Sequence, residues 1–169
     1  MNTDTVVFKF GGASVRDAAA VRNVAKILEQ HRAPQTVVVI SAMGKTTNAL
    51  EELAAACFRK SDDAPEILRR VRDYHWEIAA ELFAENHEVF AQLNDQFVEI
   101  EWLLTDPQHT DYDFLYDQIV SVGELLSTRI VAAYLIEMGM PCAWLDVRDV
   151  LKTDNTWREA RVAWDETRT

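Results

Sequence analysis

The stretch that decides the fold runs from Thr5 to Ser41: TVVFKF (5–10), a glycine pair at Gly11-Gly12, a helical segment, and TVVVIS (36–41). β-Branched and aromatic residues crowd the first run and the glycines stop it, so it reads as a strand ending in a tight turn. Val15, Ala18, Ala19, Val21, Val24, Ala25 and Leu28 then make an apolar stripe at helical spacing, and Pro34 closes that helix before the second strand. Strand, helix and strand in this order form a β-α-β unit, whose parallel strands belong to a sheet covered by helices on both faces. Ligands of such sheets sit at the carboxyl ends of the strands. Gly11-Gly12 and the segment Ser41 to Asn48 both occupy such ends, and a right-handed crossover between neighbouring strands brings them to one site.

Working outward, helical spacing persists from Thr47 to about Leu104, with breaks near Ser61 to Pro65 and near Asn86-His87 and a stop at Asp106-Pro107. Three helices are predicted there. A long apolar helix follows from about Tyr112 to Met138 and ends at Gly139. Pro141 to Val147 (PCAWLDV) reads as a third strand, and Arg158 to Thr169 as the start of a further helix. The expected fold is therefore α/β, a mostly parallel sheet with helices on both faces plus a helical subregion at about 48–138. Residues 1–169 read as one portion of a single larger domain, because no strand follows the last helix.

Composition narrows the function. A net charge of −11 opposes a polyanionic partner, since nucleic-acid binders need a basic footprint, and it disfavours a membrane surface likewise. No apolar run approaches the length of a spanning helix, and Asp4 stands where a signal peptide would carry Lys or Arg, so a cytoplasmic protein is expected. Cys57 and Cys142 are too few for a disulfide scaffold and too far apart for a CxxC site; both are expected in the core. Charge is polarised along the chain: residues 1–50 carry a net +3 and the remainder −14. The positive end also holds Gly11, Gly12 and Gly44, and glycines beside positive charge suit a phosphate or nucleotide. Arg16, Arg22, Lys26 and Arg32 are read as coating the solvent face of the first helix. The fifteen acidic and three basic residues of 61–117 are read as the solvated face of a helical cap.

Two familiar nucleotide motifs fail on spacing. Gly44-Lys45-Thr46 resembles the end of a Walker A loop, but Val39 stands where that loop needs its first glycine; adjacent glycines at 11 and 12 cannot supply GxGxxG. What remains is Lys9, one residue from Gly11-Gly12, a compact positive charge beside backbone that no Cβ obstructs. In the long helix Glu124 interrupts apolar surroundings, with Ser121 and Thr128 on its face and Gly123 beside it. A carboxylate there needs a partner. That partner is either a hydrogen bond or salt bridge within the fold, or the ammonium of a substrate.

Lys9-Phe10-Gly11-Gly12-Ala13-Ser14-Val15 resembles the KFGGTSV signature of the aspartokinases, with Ala13 in place of the usual threonine. Ser41 to Asn48 (SAMGKTTN) is similar to their second loop and Val120 to Ser127 (VSVGELLS) to their third, in the same order and separation; Trp144 to Arg148 and Lys152 to Asp154 continue the likeness. The resemblance covers nearly the whole chain. It implies an amino-acid-kinase fold and transfer of the ATP γ-phosphate to the side-chain carboxylate of L-aspartate, the entry to lysine, threonine and methionine synthesis. It implies that Lys9, Gly11 and Gly12 meet the nucleotide phosphates, Lys9 being catalytic, that Ser41 hydrogen-bonds near them, and that Thr47 and Glu124 bind aspartate. Mg²⁺ is expected with ATP, but no carboxylate is assigned to it, and no prosthetic group is expected. Lys45 departs from the pattern and is expected to be exposed. The family's arginine for the aspartate α-carboxylate, most of its ATP pocket and its regulatory ACT domains have no counterpart in these residues, so the chain alone is expected to be an inactive fragment of a homo-oligomeric enzyme. Alternatives are another enzyme of this fold acting on a different carboxylate or carbamate, and a non-catalytic helical interaction module.

Overall fold

The computed structural model describes residues 5–105 and 111–167. Strands β1 (Val6–Phe10) and β2 (Thr36–Ile40) pair in parallel, from Val6 opposite Thr36 to Phe10 opposite Ile40, and α1 (Ala18–Gln30) makes the crossover. Asp17 caps α1 by accepting the Ala20 N–H at 2.7 Å, and that bond holds its carboxyl below the usual carboxylate range. Strand periodicity sorts the sheet faces. Phe8, Phe10, Val38 and Ile40 turn into the core, whereas Val7, Val37 and Val39 stay exposed, so among the described residues one face of the two-stranded sheet is covered and the other is open.

Helices α2 (Thr46–Phe58), α3 (Ala64–Leu82) and α4 (Val89–Thr105) are the three expected in the middle, with breaks where the sequence placed them; the stop at Asp106-Pro107 lies outside the described residues. The long helix is two: α5 (Tyr112–Val120) and α6 (Val122–Glu137) meet at Ser121. It ends as expected, Gly139 taking φ +72° while its N–H and that of Met140 return to the carbonyls of Ile136 and Leu135. α5 packs on α2, and α6 on α4, α1 and β2. Leu50, Leu53, Leu93, Phe97, Ile100, Leu126 and Ile130 are wholly buried in these seams, each worth about 1.5–3 kcal/mol relative to exposure.

Four expectations are corrected. Tyr112–Glu137 is in fact long and apolar enough to cross a membrane by length and composition; its place among the packed helices, with Leu115, Ile119, Leu126 and Ile130 buried, accounts for that composition. Pro141 to Val147 makes no strand. The segment lies along α6, where the Trp144 indole N–H donates to Thr128 Oγ1 at 2.9 Å and the Arg129 guanidinium stacks 3.8 Å over the Trp144 ring; Val147–Val150 then forms the single-turn α7. Cys142, on this segment, is consequently exposed rather than in the core. Arg158 to Thr169 yields only the single turn α8 (Trp164–Thr167), with 168 and 169 outside the described residues. Arg158 sits at φ +64°, its N–H on Asp117 at 2.8 Å and its guanidinium on Asp113 and over Tyr116, and Thr153 bridges Val162; those contacts override helical propensity.

One titratable group is buried at the centre of α3. His75 Nδ1 lies 2.7 Å from the Val71 carbonyl and Nε2 3.4 Å from Thr46 Oγ1. A carbonyl only accepts, so Nδ1 carries the proton and Nε2 accepts from the Thr46 hydroxyl. Burial pushes His75 from 6.5 down to about 4, with the Val71 bond opposing. The unfolded chain therefore takes up this proton at higher pH than the folded one, and the stability tied to neutral His75 is present above pH 6.5 and lost as pH falls toward 4. His75→Gln removes the titration, so the stability advantage of wild type over the variant should shrink across that window in urea unfolding, carboxylates common to both cancelling. A difference that stays constant with pH would contradict the assignment.

Candidate active site

The two loops leave the strand ends side by side. After Phe10 the chain passes Gly11 into a 3₁₀ turn, Gly12–Val15, closed by the Ser14 N–H on the Gly11 carbonyl at 2.8 Å. After Ile40 the Ser41 N–H still reaches the Phe10 carbonyl at 3.0 Å, and the Gly44 N–H donates to the Gly12 carbonyl at 3.0 Å. A Cβ on Gly12 would stand 2.7 Å from the Ala42 carbonyl oxygen and 3.0 Å from that of Gly44, so only glycine admits this contact. Gly44 takes φ +54°, turning the chain into α2. Gly11 is open by contrast. A Cβ there would meet only Lys9 Nζ, at 3.6 Å, which places the exposed Lys9 ammonium beside uncovered backbone.

The third motif closes on the second. At Gly123 a Cβ would stand 2.9 Å from Ala42 Cβ and 3.2 Å from Leu50 Cδ1, so α6 can approach the loop only as glycine. The half-buried Glu124 then accepts the Ala42 N–H on Oε1 at 3.1 Å, while Oε2 has no hydrogen-bond partner among the described residues. The carboxylate thus does make a bond within the fold, with one oxygen, and keeps the other. Its helix is steadied from behind: Thr128 Oγ1 donates to the Glu124 carbonyl at 2.7 Å and accepts the Trp144 indole.

All six sequence-predicted residues fall in this region. Lys9, Gly11, Gly12 and Ser41 lie at the strand ends, Glu124 joins them through Ala42, and half-buried Thr47 is the second residue of α2, after Thr46, whose Cγ2 lies 3.4 Å from the Gly123 Cβ position. Lys45 is exposed, as expected. Two residues escaped the sequence reading. Tyr74 donates its hydroxyl to the Arg16 carbonyl, and the Tyr74 hydroxyl oxygen lies 2.6 Å from where a Gly44 Cβ would stand; burial foremost, then Asp17, raises the Tyr74 pKa, which keeps it a donor. His75, beside it, holds Thr46. The only signal in sequence is their position with Val71 and Ile78 on one face of α3, which is also the signature of ordinary core. A cavity of about 360 Å³ opens between Ser14, Arg16, Asn23 and Val24, and it is lined by none of the six. No group of three His, Cys, Asp or Glu side chains that could hold a metal occurs among the described residues.

Comparison with known proteins places this geometry. The Amino acid kinase family matches residues 4–167. Bifunctional aspartokinase/homoserine dehydrogenase 2 of Escherichia coli (strain K12) is 31% identical over 147 residues, which cover 86% of this chain and 18% of that protein. Chloroplastic aspartokinase 3 of Arabidopsis thaliana is 34% identical over 151 residues, covering 86% of this chain and 26% of its own. The crystal structure of E. coli aspartokinase III in complex with aspartate and ADP (R-state) aligns with a TM-score of 0.78 at 29% identity, over 97% of this chain and 36% of that one. This chain therefore spans well under half the length of these relatives. With the parallel strand pair, the three converging loops and a match across nearly every residue, the chain belongs to the amino acid kinase family.

Proposed function

We propose that these residues form the phosphate-facing and acceptor-facing part of an aspartate kinase, which transfers the ATP γ-phosphoryl group to the side-chain carboxylate of L-aspartate to give 4-phospho-L-aspartate. This is the first step toward lysine, threonine and methionine. One observation carries the reading: Glu124 spends a single oxygen on the Ala42 N–H, one residue past Ser41, and keeps the other, at the strand ends that also present Lys9 and Gly11. The names of the relatives support it, as does the aspartate and ADP held by E. coli aspartokinase III. Turnover is proposed for the enzyme that carries this segment, and the segment by itself is proposed to be inactive.

In the transfer, an aspartate carboxylate oxygen forms a bond to the γ-phosphorus as the bond to the β,γ-bridging oxygen breaks and ADP leaves. The attacking carboxylate has an unperturbed pKa of about 3.9 and is already ionised at neutral pH, so no general base is needed. The protein's contribution is alignment and charge. Lys9 offsets negative charge on the transferring group, the open backbone at Gly11 admits a phosphate oxygen, Gly12 fixes that backbone against the second loop, and Ser41 donates near the same group. Thr47 and Glu124 hold aspartate, Glu124 through the α-ammonium. Mg²⁺ would arrive with ATP and offset charge on its phosphates, and no carboxylate of the described residues is assigned to it.

Lys9→Ala in the enzyme should lower kcat by about 10²- to 10³-fold, the usual cost of one preorganised charge-stabilising donor, with little change in the aspartate KM. Steady-state ADP release measures both constants, and a kcat near wild type would assign Lys9 to structure.

Glu124→Gln should weaken aspartate by about 1.5–3 kcal/mol, the range for a charged hydrogen bond. The amide oxygen can still accept the Ala42 N–H, so the melting temperature and ATP affinity should hardly move. Titration calorimetry beside a melting curve separates the roles: a destabilised protein with unaltered aspartate affinity would make Glu124 a fold residue only.

A further inference from the structure

We propose that Tyr74 and His75, consecutive on α3, are positioning residues that set the two substrate loops against each other, Tyr74 on the phosphate side and His75 on the acceptor side. For its ligands this rests on the aspartate kinase reading. Consecutive helical side chains diverge by about 100°, so neighbours on one helix can reach different elements. Tyr74 reaches the Arg16 carbonyl, just past the 3₁₀ turn that follows Gly11, and its hydroxyl stands against Gly44 of the second loop. His75 reaches Thr46, the first residue of α2 and the neighbour of Thr47.

The contact between His75 and Thr46 is not replaceable by water. Thr46 is 4% exposed and His75 fully buried, so without each other the hydroxyl and Nε2 are orphaned in the core. His75 is itself fixed, by the Val71 carbonyl at 2.7 Å and by edge-on rings, Tyr74 at 5.1 Å and Phe97 at 6.5 Å. A continuous link therefore runs from the α3 backbone through the imidazole to the first turn of α2. A second runs from Tyr74 to the first loop. Small displacements of substrate-holding groups are costly because reacting atoms must meet in a narrow geometry.

The test uses Thr46→Val, His75→Leu, His75→Gln and Tyr74→Phe in the enzyme that carries this segment, each titrated with L-aspartate and with ATP plus Mg²⁺, and each followed by amide exchange. Thr46→Val and His75→Leu should weaken aspartate about fivefold, the factor equivalent to one neutral hydrogen bond of about 1 kcal/mol, while ATP stays within about twofold. Exchange should quicken over residues 45–50. His75→Gln, which restores an acceptor, should return aspartate affinity toward wild type. Tyr74→Phe should weaken ATP more than aspartate and quicken exchange over residues 11–16. Unchanged affinities and exchange in Thr46→Val and His75→Leu, with wild type binding both ligands, would overturn the positioning role and leave the kinase reading intact. Uniformly faster exchange with both ligands weakened alike would overturn it too, since the pair would then supply only general stability. Wild type that binds neither ligand while the local exchange changes appear would overturn the kinase reading and leave the loop positioning standing.

Discussion

The backbone contact between Gly12 and the Ala42–Gly44 turn is the constraint on which the rest of the site depends. Parallel strands that end level, Phe10 opposite Ile40, deliver their loops within hydrogen-bond reach, and the Gly44 N–H closes the gap onto the Gly12 carbonyl. No side chain fits at Gly12. Ala42 then becomes the point where three motifs meet: its carbonyl lies against Gly12, its methyl against Gly123, and its N–H on the Glu124 carboxylate. At 3% exposure it has no spare room, so a larger side chain at 42 would push α6 away and take Glu124 with it.

How much of this was legible follows from where each signal resides. The β-α-β unit, the three middle helices and the glycine-terminated end of α6 are written in local pattern, and the structure has them. The PCAWLDV segment has strand composition, but a strand also needs a free edge to pair with, and composition says nothing of that. Trp144 instead finds Thr128 and Arg129 on α6. Arg158 is alike: its left-handed backbone is held by Asp113, Asp117 and Tyr116, forty residues away, so no window around it could reveal the turn.

The site shows the same division. Lys9, Gly11, Gly12 and Glu124 were visible because glycine and charge stand out against apolar periodicity, whereas Ser41 and Thr47 were named only by the resemblance to the aspartokinases. Tyr74 and His75 were not, because a polar residue on a core-facing helix stripe looks identical whether it fills space or fixes a loop. Only the partner decides, and the partners are a carbonyl at Arg16 and a hydroxyl at Thr46.

Glu124 joins the two halves of this account. A half-buried carboxylate needs satisfaction from the fold or from a ligand. Here the demand is split: Oε1 accepts the Ala42 N–H, which fixes the direction of the carboxylate, and Oε2 has no hydrogen-bond partner among the described residues. A group already oriented by the fold loses little freedom when an ammonium binds, so more of the interaction appears as affinity. The bond that makes Glu124 structural is thus also the one that would orient it for the proposed aspartate ammonium, and the close approach at Gly123 is what allows that bond.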